Sequence, residues 1–264
     1  MLLDNLRKYY IWGIKMKSVI LLSLIGLFFI INIMFYMNNN PDVILAKKEL
    51  IENSFSAKRL YYTIYLFGFF PVGQAIVSDD GLTRNDGQNL YQLSARAKAV
   101  GITAKVYPFN ASINSYLEPS TFLPLFYKQE IKTPDKTLAR EIYYNQVKNT
   151  IKIMGEERAI FADTYEPLSV MFWLRRTDLE SKEAFDLNIN TNQKNYAFAG
   201  TVEKRPNKKY NVYLLKGKIF RRDKSAYHQS SADIVLAGNK VKTPILIKVF
   251  TSGAYIIIKL TKSE

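Results

Sequence analysis

The sequence contains no cysteine and only one histidine, His228, in 264 residues. The lack of cysteine excludes disulfide bonds, cysteine nucleophiles and thiolate metal sites. A histidine-based metal site normally uses more than one histidine, and His228 lies in the polar stretch SAYHQSSAD, which is typical of a surface position. No phosphate-binding loop, dinucleotide fingerprint or nucleophile elbow is present either. The sequence therefore predicts a protein that is not an enzyme and that uses no cofactor and no metal.

Acidic residues are scarce: 23 aspartates and glutamates stand against 37 lysines and arginines, which gives a net charge of +14. A surface this basic favours anionic partners such as phospholipid headgroups, polyanionic polymers of the cell envelope or nucleic acid. Two acidic pairs, Asp79-Asp80 and Glu156-Glu157, each adjoin a glycine. We interpret both pairs as solvated turns rather than as a metal site or an acid–base pair.

One long hydrophobic run covers residues 19–37, which are 19 residues without a charge. At about 1.5 Å per residue, such a helix nearly spans a hydrocarbon core of about 30 Å. Basic residues precede the run, so the positive-inside rule puts the N-terminus in the cytoplasm. We predict a cytoplasmic segment 1–18, a single-pass inner-membrane anchor 19–37, a linker 38–58 and an exported, periplasmic β domain 59–264. A cleaved signal peptide is the alternative, above all if translation starts at Met16, and it exports the same domain.

The exported part has the composition of a β protein. The chain has 18 tyrosines and 16 phenylalanines, residue types that favour strands. We predict strands at 59–67, 69–81, 89–100, 110–119, 122–132, 138–146, 149–155, 184–190, 195–203, 210–215, 218–222, 232–237, 244–250 and 254–260. Tight turns are predicted at Lys216-Gly217, Gly238-Asn239 and Ser252-Gly253. The pattern indicates a mainly β fold, built as a strongly curved antiparallel sheet or a full or half barrel.

One segment, EPLSVMFWLRR at 166–176, has a helical pattern. Pro167 suits the first turn of a helix, and the two terminal arginines complement the helix dipole. Apolar residues occupy both faces, so the helix needs burial on all sides, which a curved sheet enclosing it would supply. The helix either only fills the core or also lines a ligand cavity. The residues that we predict to line such a cavity are Tyr61, Tyr65, Phe69, Met171, Phe172 and Trp173.

A basic segment covers residues 203–224, with nine lysines and arginines against two acidic residues. In an exported domain its accessible partners are anionic headgroups, an anionic envelope polymer or an envelope protein, and export disfavours nucleic acid. The residues predicted to contact such a surface are Lys204, Arg205, Lys208, Lys209, Lys218, Arg221 and Arg222. The alternative is a solvated hairpin whose lysines only discourage pairing at a sheet edge.

Four segments resemble, in this order, the blocks of the domain-of-unknown-function 3108 family, a set of exported, β-rich bacterial proteins. They are YYTIYLFGFFPVGQAIV (61–77), YLEPSTFLPLFYKQEI (116–131), EPLSVMFWLRR (166–176) and ADIVLAGNKVKTPILIKVFTSGAYIIIKL (232–260). The resemblance covers residues 60–262, and the order of the segments is its most specific feature. One departure is Glu166, which stands where the family usually has aspartate, a better helix cap.

The resemblance implies export and a barrel-like fold, similar to the half-barrel carriers that move lipoproteins across the periplasm. The family has no established activity, so no catalytic residue is carried over. We expect a membrane-anchored envelope protein whose β domain binds a lipid or another hydrophobic or amphiphilic ligand. The alternative is a structural or interaction protein that docks through the basic hairpin, and an enzyme is the third hypothesis.

Overall fold

The computed structural model describes residues 58–85, 87–191, 193–206, 211–222 and 230–264. The predicted segments 1–18 and 19–37, and all but the last residue of the predicted linker, lie outside these ranges. So do His228, Lys208 and Lys209. Within the described ranges, no helix is both long and apolar enough to cross a bilayer.

The described residues form fifteen strands and two short helices. The strands are β1 (Arg59–Leu66), β2 (Phe70–Asn85), β3 (Gln88–Ala99), β4 (Asn110–Leu117), β5 (Pro124–Lys132), β6 (Thr137–Asn145), β7 (Thr150–Ile153), β8 (Glu156–Ala159), β9 (Thr164–Tyr165), β10 (Ala184–Thr191), β11 (Lys194–Pro206), β12 (Asn211–Arg221), β13 (Ser230–Ala237), β14 (Pro244–Thr251) and β15 (Ala254–Ser263). The helices are α1 (Gly101–Val106) and α2 (Pro167–Arg176).

All fifteen strands belong to one sheet, in which nearly every strand pairs with its neighbours in sequence. The order is β8-β7-β6-β5-β4-β3-β2-β1-β15-β14-β13-β12-β11-β10-β9. Every pairing is antiparallel except the short one between β9 and β10. The prediction of a mainly β, antiparallel fold is confirmed.

The two edge strands, β8 and β9, are consecutive in the chain. The short connection between them keeps the two edges of the curled sheet close together. The edges do not pair as a ladder, so the barrel is not closed by backbone hydrogen bonds. Side chains bridge the seam instead. Asn195 Nδ2 donates to the Ala159 carbonyl at 3.0 Å, and Arg158 Nη1 donates to Gln193 Oε1 at 2.7 Å. The exposed edges that a half-open sheet would present are thereby partly covered.

Helix α2 lies against the inner face of this sheet, as predicted. Leu168 and Phe172 pack on one side in a cluster with Leu93 and Leu117. On the other side, Val170 and Leu174 join the larger cluster built mainly from β10 to β13. Met171 and Trp173 are only partly buried and pack against that larger cluster. The two arginines at the end of α2 are not part of either core cluster.

Three predicted turns are wrong, for different physical reasons. Glu156 and Glu157 begin the short strand β8 and do not lie in a turn. Lys216-Gly217 lies inside β12, where Gly217 pairs with Gly200. Asp79 and Asp80 lie inside β2, which passes through a bulge between Asp79 and Gly81. A bulge places one extra residue in a strand without ending it, and Gly81 takes the positive φ of +78° there. The short helix α1 was not predicted.

Gly217 is required because aromatic rings fill the space that a side chain would need. A Cβ atom at this position would lie 2.3 Å from the Phe198 ring and 2.9 Å from the Phe185 ring. These two rings pack edge to face, with centroids 4.7 Å apart. We expect Gly217→Val to destabilise the fold by about 1–3 kcal/mol, as overpacked cores do. Urea unfolding of a fragment starting at residue 46, which keeps every described strand, measures this loss.

The matched control is Lys218→Val, which introduces the same side chain at the next position, on the solvent-facing side of β12. A surface substitution of this kind changes the stability by less than about 0.5 kcal/mol. Equal unfolding midpoints for the two variants would show that the rings do not set the requirement for glycine.

Candidate ligand-binding site

An apolar cavity of about 150 Å³ lies between α2 and the inner face of the sheet. We call it the inner cavity. Its walls come from α2 and from β1, β2, β3, β14 and β15, and include Leu60, Tyr62, Val77, Leu93, Leu168 and Phe172. Ala75 contributes only a methyl group opposite Tyr62 in the strand register. This small side chain helps to leave space that the helix does not fill.

A larger, charged cavity of about 540 Å³ adjoins the inner cavity. We call it the cationic mouth. Its charged residues are Lys58, Arg175, Arg176, Lys240, Asp79 and Asp80, four cations and two acids. Asp79, Phe172 and Arg175 line both cavities, so these three side chains stand where the mouth and the inner cavity adjoin. The combined space is apolar at its inner end and positively charged at its outer end.

Arg175 and Asp79 stand where the two cavities join. Arg175 Nε donates to the Val241 carbonyl at 3.4 Å, a long hydrogen bond. Burial lowers the pKa of Arg175, while the charge of Asp79 opposes that shift, and arginine stays charged at neutral pH. The Tyr91 hydroxyl donates to Asp79 Oδ1 at 2.5 Å. Burial and this hydrogen bond raise the pKa of Tyr91 to about 12, so it remains a neutral donor.

Arg176 is held over a cluster of three aromatic rings. Its guanidinium carbon lies 4.7, 4.9 and 5.6 Å from the ring centroids of Phe172, Phe122 and Tyr91. The three rings also contact one another, with centroid distances between 4.9 and 5.6 Å. Cation–π contacts of this kind fix the direction of the guanidinium group, and its Nη2 also donates a long hydrogen bond to the Tyr91 hydroxyl at 3.4 Å. The helix thus presents two arginines at the mouth.

Glu166 positions α2 from its other end. Its carboxylate accepts hydrogen bonds from the backbone N–H groups of Leu168 and Ser169 at 2.7 and 2.6 Å. It also accepts one from the hydroxyl of Ser115 in β4 at 2.8 Å. The Glu166 N–H donates to Ser169 Oγ at 2.9 Å, which completes a capping box. Glutamate therefore serves as the N-cap here and ties the helix to the sheet through Ser115.

The six residues predicted to line a cavity do not come together. Met171 and Phe172 line the inner cavity. Trp173 packs against the larger core cluster, with its ring centroid 6.1 Å from that of Tyr165. Tyr61 and Tyr65 lie on the opposite face of β1 from the buried Tyr62, and Phe69 lies in the exposed β1–β2 turn. The role of all six as ligand contacts stays a prediction.

Many cations of the basic hairpin are engaged in exposed ion pairs. Lys204 pairs with Glu180, Arg205 with Glu203, and Arg222 with Asp186. Lys216 shares Glu203, and Arg221 has an interaction of its own. Exposed pairs contribute little and can exchange partners, so the hairpin keeps an anion-binding capacity. The pairs nevertheless make the positive electrostatic potential of the hairpin weaker than its lysines and arginines alone would give.

Sequence reasoning missed Arg175, Arg176 and Asp79 as members of a site. The arginines were assigned only to the helix dipole, and Asp79 was assigned to a turn. For the two arginines, the available signal was their position at the end of a helix whose other residues are mostly apolar. Among the described residues, no group of three or more acidic, histidine or cysteine side chains is placed to hold a metal ion.

Comparisons with known proteins bear on the fold. A profile described as protein of unknown function (DUF3108) matches residues 61–254. The chain is similar to a β-barrel-like protein of domain of unknown function DUF1849 from Brucella abortus, with a TM-score of 0.54 and 11% identity over 78% of this chain and 96% of that one. A DUF1089 family protein from Pseudomonas aeruginosa gives a TM-score of 0.38 and 10% identity, over 65% and 87%. No curated protein matches the chain.

The buried carboxyl of Glu166 predicts an unusual pH dependence of stability. Burial raises the pKa of Glu166 above its ordinary value of 4.5, although the hydrogen bonds that it accepts oppose this. A carboxyl with a raised pKa binds its proton more tightly in the folded state, so it lowers the stability as the pH rises from 4.5 through that pKa. Glutamine carries no charge at any pH and keeps one of the two acceptor oxygens, so its hydrogen bonds do not change with pH. We expect the stability of Glu166→Gln, relative to the unaltered protein, to increase over this pH range in urea unfolding.

Glu203→Gln is a control of opposite sign. Lys216 and Arg205 lower the pKa of Glu203 through hydrogen bonds, so this carboxylate contributes stability that is lost as the pH falls. The stability of the unaltered protein, relative to that of Glu203→Gln, should therefore increase as the pH rises. The increase should be small because the group is exposed. The same pH trend in both variants would contradict the assignment for Glu166.

Proposed function

We propose that this chain, which belongs to the DUF3108 family of proteins of unknown function, binds an anionic amphiphile. The head of the ligand lies in the cationic mouth and its apolar part enters the inner cavity. The observation that carries this proposal is that the two cavities adjoin and share Asp79, Phe172 and Arg175 in their walls. An apolar space that opens only onto water would favour a neutral ligand. An apolar space that opens onto two arginines favours an anionic one.

The chemistry of the mouth suits a carboxylate, sulfate or phosphate group. The planar guanidinium groups of Arg175 and Arg176 can each offer two parallel N–H donors to such a head. Lys58 and Lys240 add charge at the outer end. Asp79 is engaged by the Tyr91 hydroxyl, which lessens its competition for the arginines. The mouth keeps a net charge of +2 from its four cations and two acids.

The size of the inner cavity limits the apolar part of the ligand. A cavity of about 150 Å³ lined by aliphatic and aromatic groups can hold one benzene-sized molecule in another protein. The inner cavity has the same volume. It therefore suits one short alkyl chain or one ring, and two full acyl chains exceed it. We infer a single-chain amphiphile as the ligand class.

The location of this activity is part of the proposal. Support comes from the uncharged run 19–37, which would hold the chain in the inner membrane with the β domain in the periplasm. The 20 residues from 38 to 57 reach at most about 70 Å when fully extended. A domain tethered in this way would meet amphiphiles released from the membrane surface.

Docking through the basic hairpin is the alternative, and it has less support. Lys204, Arg205 and Arg222 have acidic partners within the domain. Among the described cations of the hairpin, Lys218 has no acidic partner. Neither the inner cavity nor the cationic mouth is lined by a residue of the hairpin. A partner would have to displace several existing pairs to bind there.

Octanoate is a suitable probe, because it joins a carboxylate to one short chain. Titration calorimetry on the fragment 46–264 should show binding of octanoate and none of octylammonium. Arg175→Gln with Arg176→Gln should weaken octanoate binding by about tenfold to a hundredfold, since a hydrogen bond to a charged group contributes about 1.5–3 kcal/mol. Ala75→Leu should abolish it by filling the cavity. Mass spectrometry of an organic extract of the purified fragment would identify any natural ligand.

Lys204→Gln with Lys218→Gln is the matched control, because it removes the same charge from the hairpin. This variant should bind octanoate as the unaltered fragment does. A silent titration together with an extract free of amphiphile would overturn the proposal. Equal losses in the two double variants would show that net charge, rather than the mouth, attracts the anion.

A further inference from the structure

A second feature of the domain is a group of exposed apolar side chains, which we call the apolar rim. It consists of Phe67, Phe69, Phe70, Ile102, Val106, Tyr107 and Phe250. Val106 is 77% exposed, Ile102 64% and Phe69 49%. Single exposed apolar residues are common, but a group of this size at one place marks a surface that binds something.

The rim residues lie together because three chain connections meet at one end of the barrel. The β1–β2 turn carries Phe67 and Phe69. It contacts the start of β15, since the Phe67 N–H donates to the Tyr255 carbonyl at 2.6 Å. Tyr255 in turn pairs with Phe250 of β14.

The third connection contains α1, which begins directly after β3. The Val100 N–H donates to the Val72 carbonyl of β2 at 3.2 Å, which joins α1 to the β1–β2 turn. Within α1, Ile102 and Val106 are four residues apart and share one face, with Lys105 beside them. None of the residues of α1 is buried. The helix thus presents an apolar face to solvent.

The chain segments that supply the rim are basic. The ranges 60–78, 95–117 and 234–263, which supply the rim and the strands behind it, contain no aspartate or glutamate. Arg96, Lys98 and Lys105 stand in the second of these ranges. Arg96 and Lys98 also line a groove of about 570 Å³, in which Lys132 and Lys262 are the other cations and Glu130 is the one acid. An apolar rim with an excess of cations behind it is complementary to an anionic lipid surface.

We propose that the apolar rim inserts into the headgroup region of a bilayer that contains anionic phospholipid, with the neighbouring cations on the headgroups. Aromatic side chains such as Phe67, Phe69 and Tyr107 are well suited to the membrane interface. A second copy of this chain is a poorer occupant, because two equally basic surfaces would repel each other. The docking surface does not depend on the amphiphile site.

The rim and the cationic mouth lie at opposite ends of β1. Lys58, at the mouth, precedes β1, and its carbonyl accepts from the Asp79 N–H at 2.8 Å. Phe67, in the rim, directly follows β1, and eight strand residues lie between them. At about 3.4 Å per residue, the nine steps from Lys58 to Phe67 span about 31 Å. A rim inserted in one membrane leaves the mouth open to the aqueous phase.

Co-sedimentation of the fragment 46–264 with lipid vesicles tests this proposal. The fragment should bind vesicles of phosphatidylcholine mixed with phosphatidylglycerol, and bind pure phosphatidylcholine more weakly. Phe69→Ser with Ile102→Ser and Val106→Ser should lower the partition coefficient by at least about tenfold, because interfacial binding scales with the apolar area buried. Lys98→Glu with Lys105→Glu should abolish the preference for the anionic vesicles.

Leu82→Ser with Val147→Ser is the matched control, since both residues are exposed and lie away from the rim, at 71% and 94%. This variant should bind vesicles as the unaltered fragment does. Ala75→Leu should also bind them, which separates this proposal from the amphiphile site. Absence of vesicle binding, or equal loss in the rim and control variants, would overturn the proposal. Rim-dependent dimers in sedimentation analysis, or a protein partner captured in place of lipid, would overturn it too.

Discussion

The fold depends on burying a helix that is apolar around most of its circumference. Leu168 and Phe172 contact one side of the barrel interior, and Val170 and Leu174 contact the other. A flat sheet covers only one face of such a helix, so the strands have to curl around it. The single sheet with consecutive edge strands meets this requirement, because β8 and β9 are joined by a short connection and cannot separate far. Enclosing α2 and bringing the two edges of the sheet together are thus one structural requirement.

The enclosure of α2 also creates the site, because the side chains of one short helix do not fill the interior of a curved sheet evenly. Close packing is reached at the two core clusters. Next to Ala75, a gap remains between α2 and the strands. The N-terminal end of the helix is fixed to β4 by Glu166 and Ser115, so the helix cannot shift to fill the gap without breaking a buried hydrogen bond. The arginines at its other end are held at the mouth of the gap by the same constraint.

The alternation of residue types predicted nearly all of the strands and α2, since those patterns report which side chains face a core. Gly217 and the pair Asp79-Asp80 were misjudged because glycine and aspartate favour turns locally, whereas here packing of distant rings and a bulge decided their place. The same limit applies to the site. Met171 and Phe172 were predicted because the helix itself is recognisable. Tyr61 and Tyr65 lie on the other face of β1 from Tyr62, because the parity of a strand relative to the core depends on its partners across the sheet, and their role as ligand contacts stays a prediction.

The apolar rim and the basic composition are best understood together. Seven exposed apolar residues at one end of a domain favour self-association, and a neutral protein with such a surface would aggregate. The acid-free ranges around the rim oppose this, because copies that approach through their rims bring like charges together. An anionic bilayer reverses the sign of that electrostatic interaction and leaves the apolar attraction unchanged. The combination therefore discriminates between a second copy and a lipid surface, which neither the charge nor the aromatic residues would achieve alone.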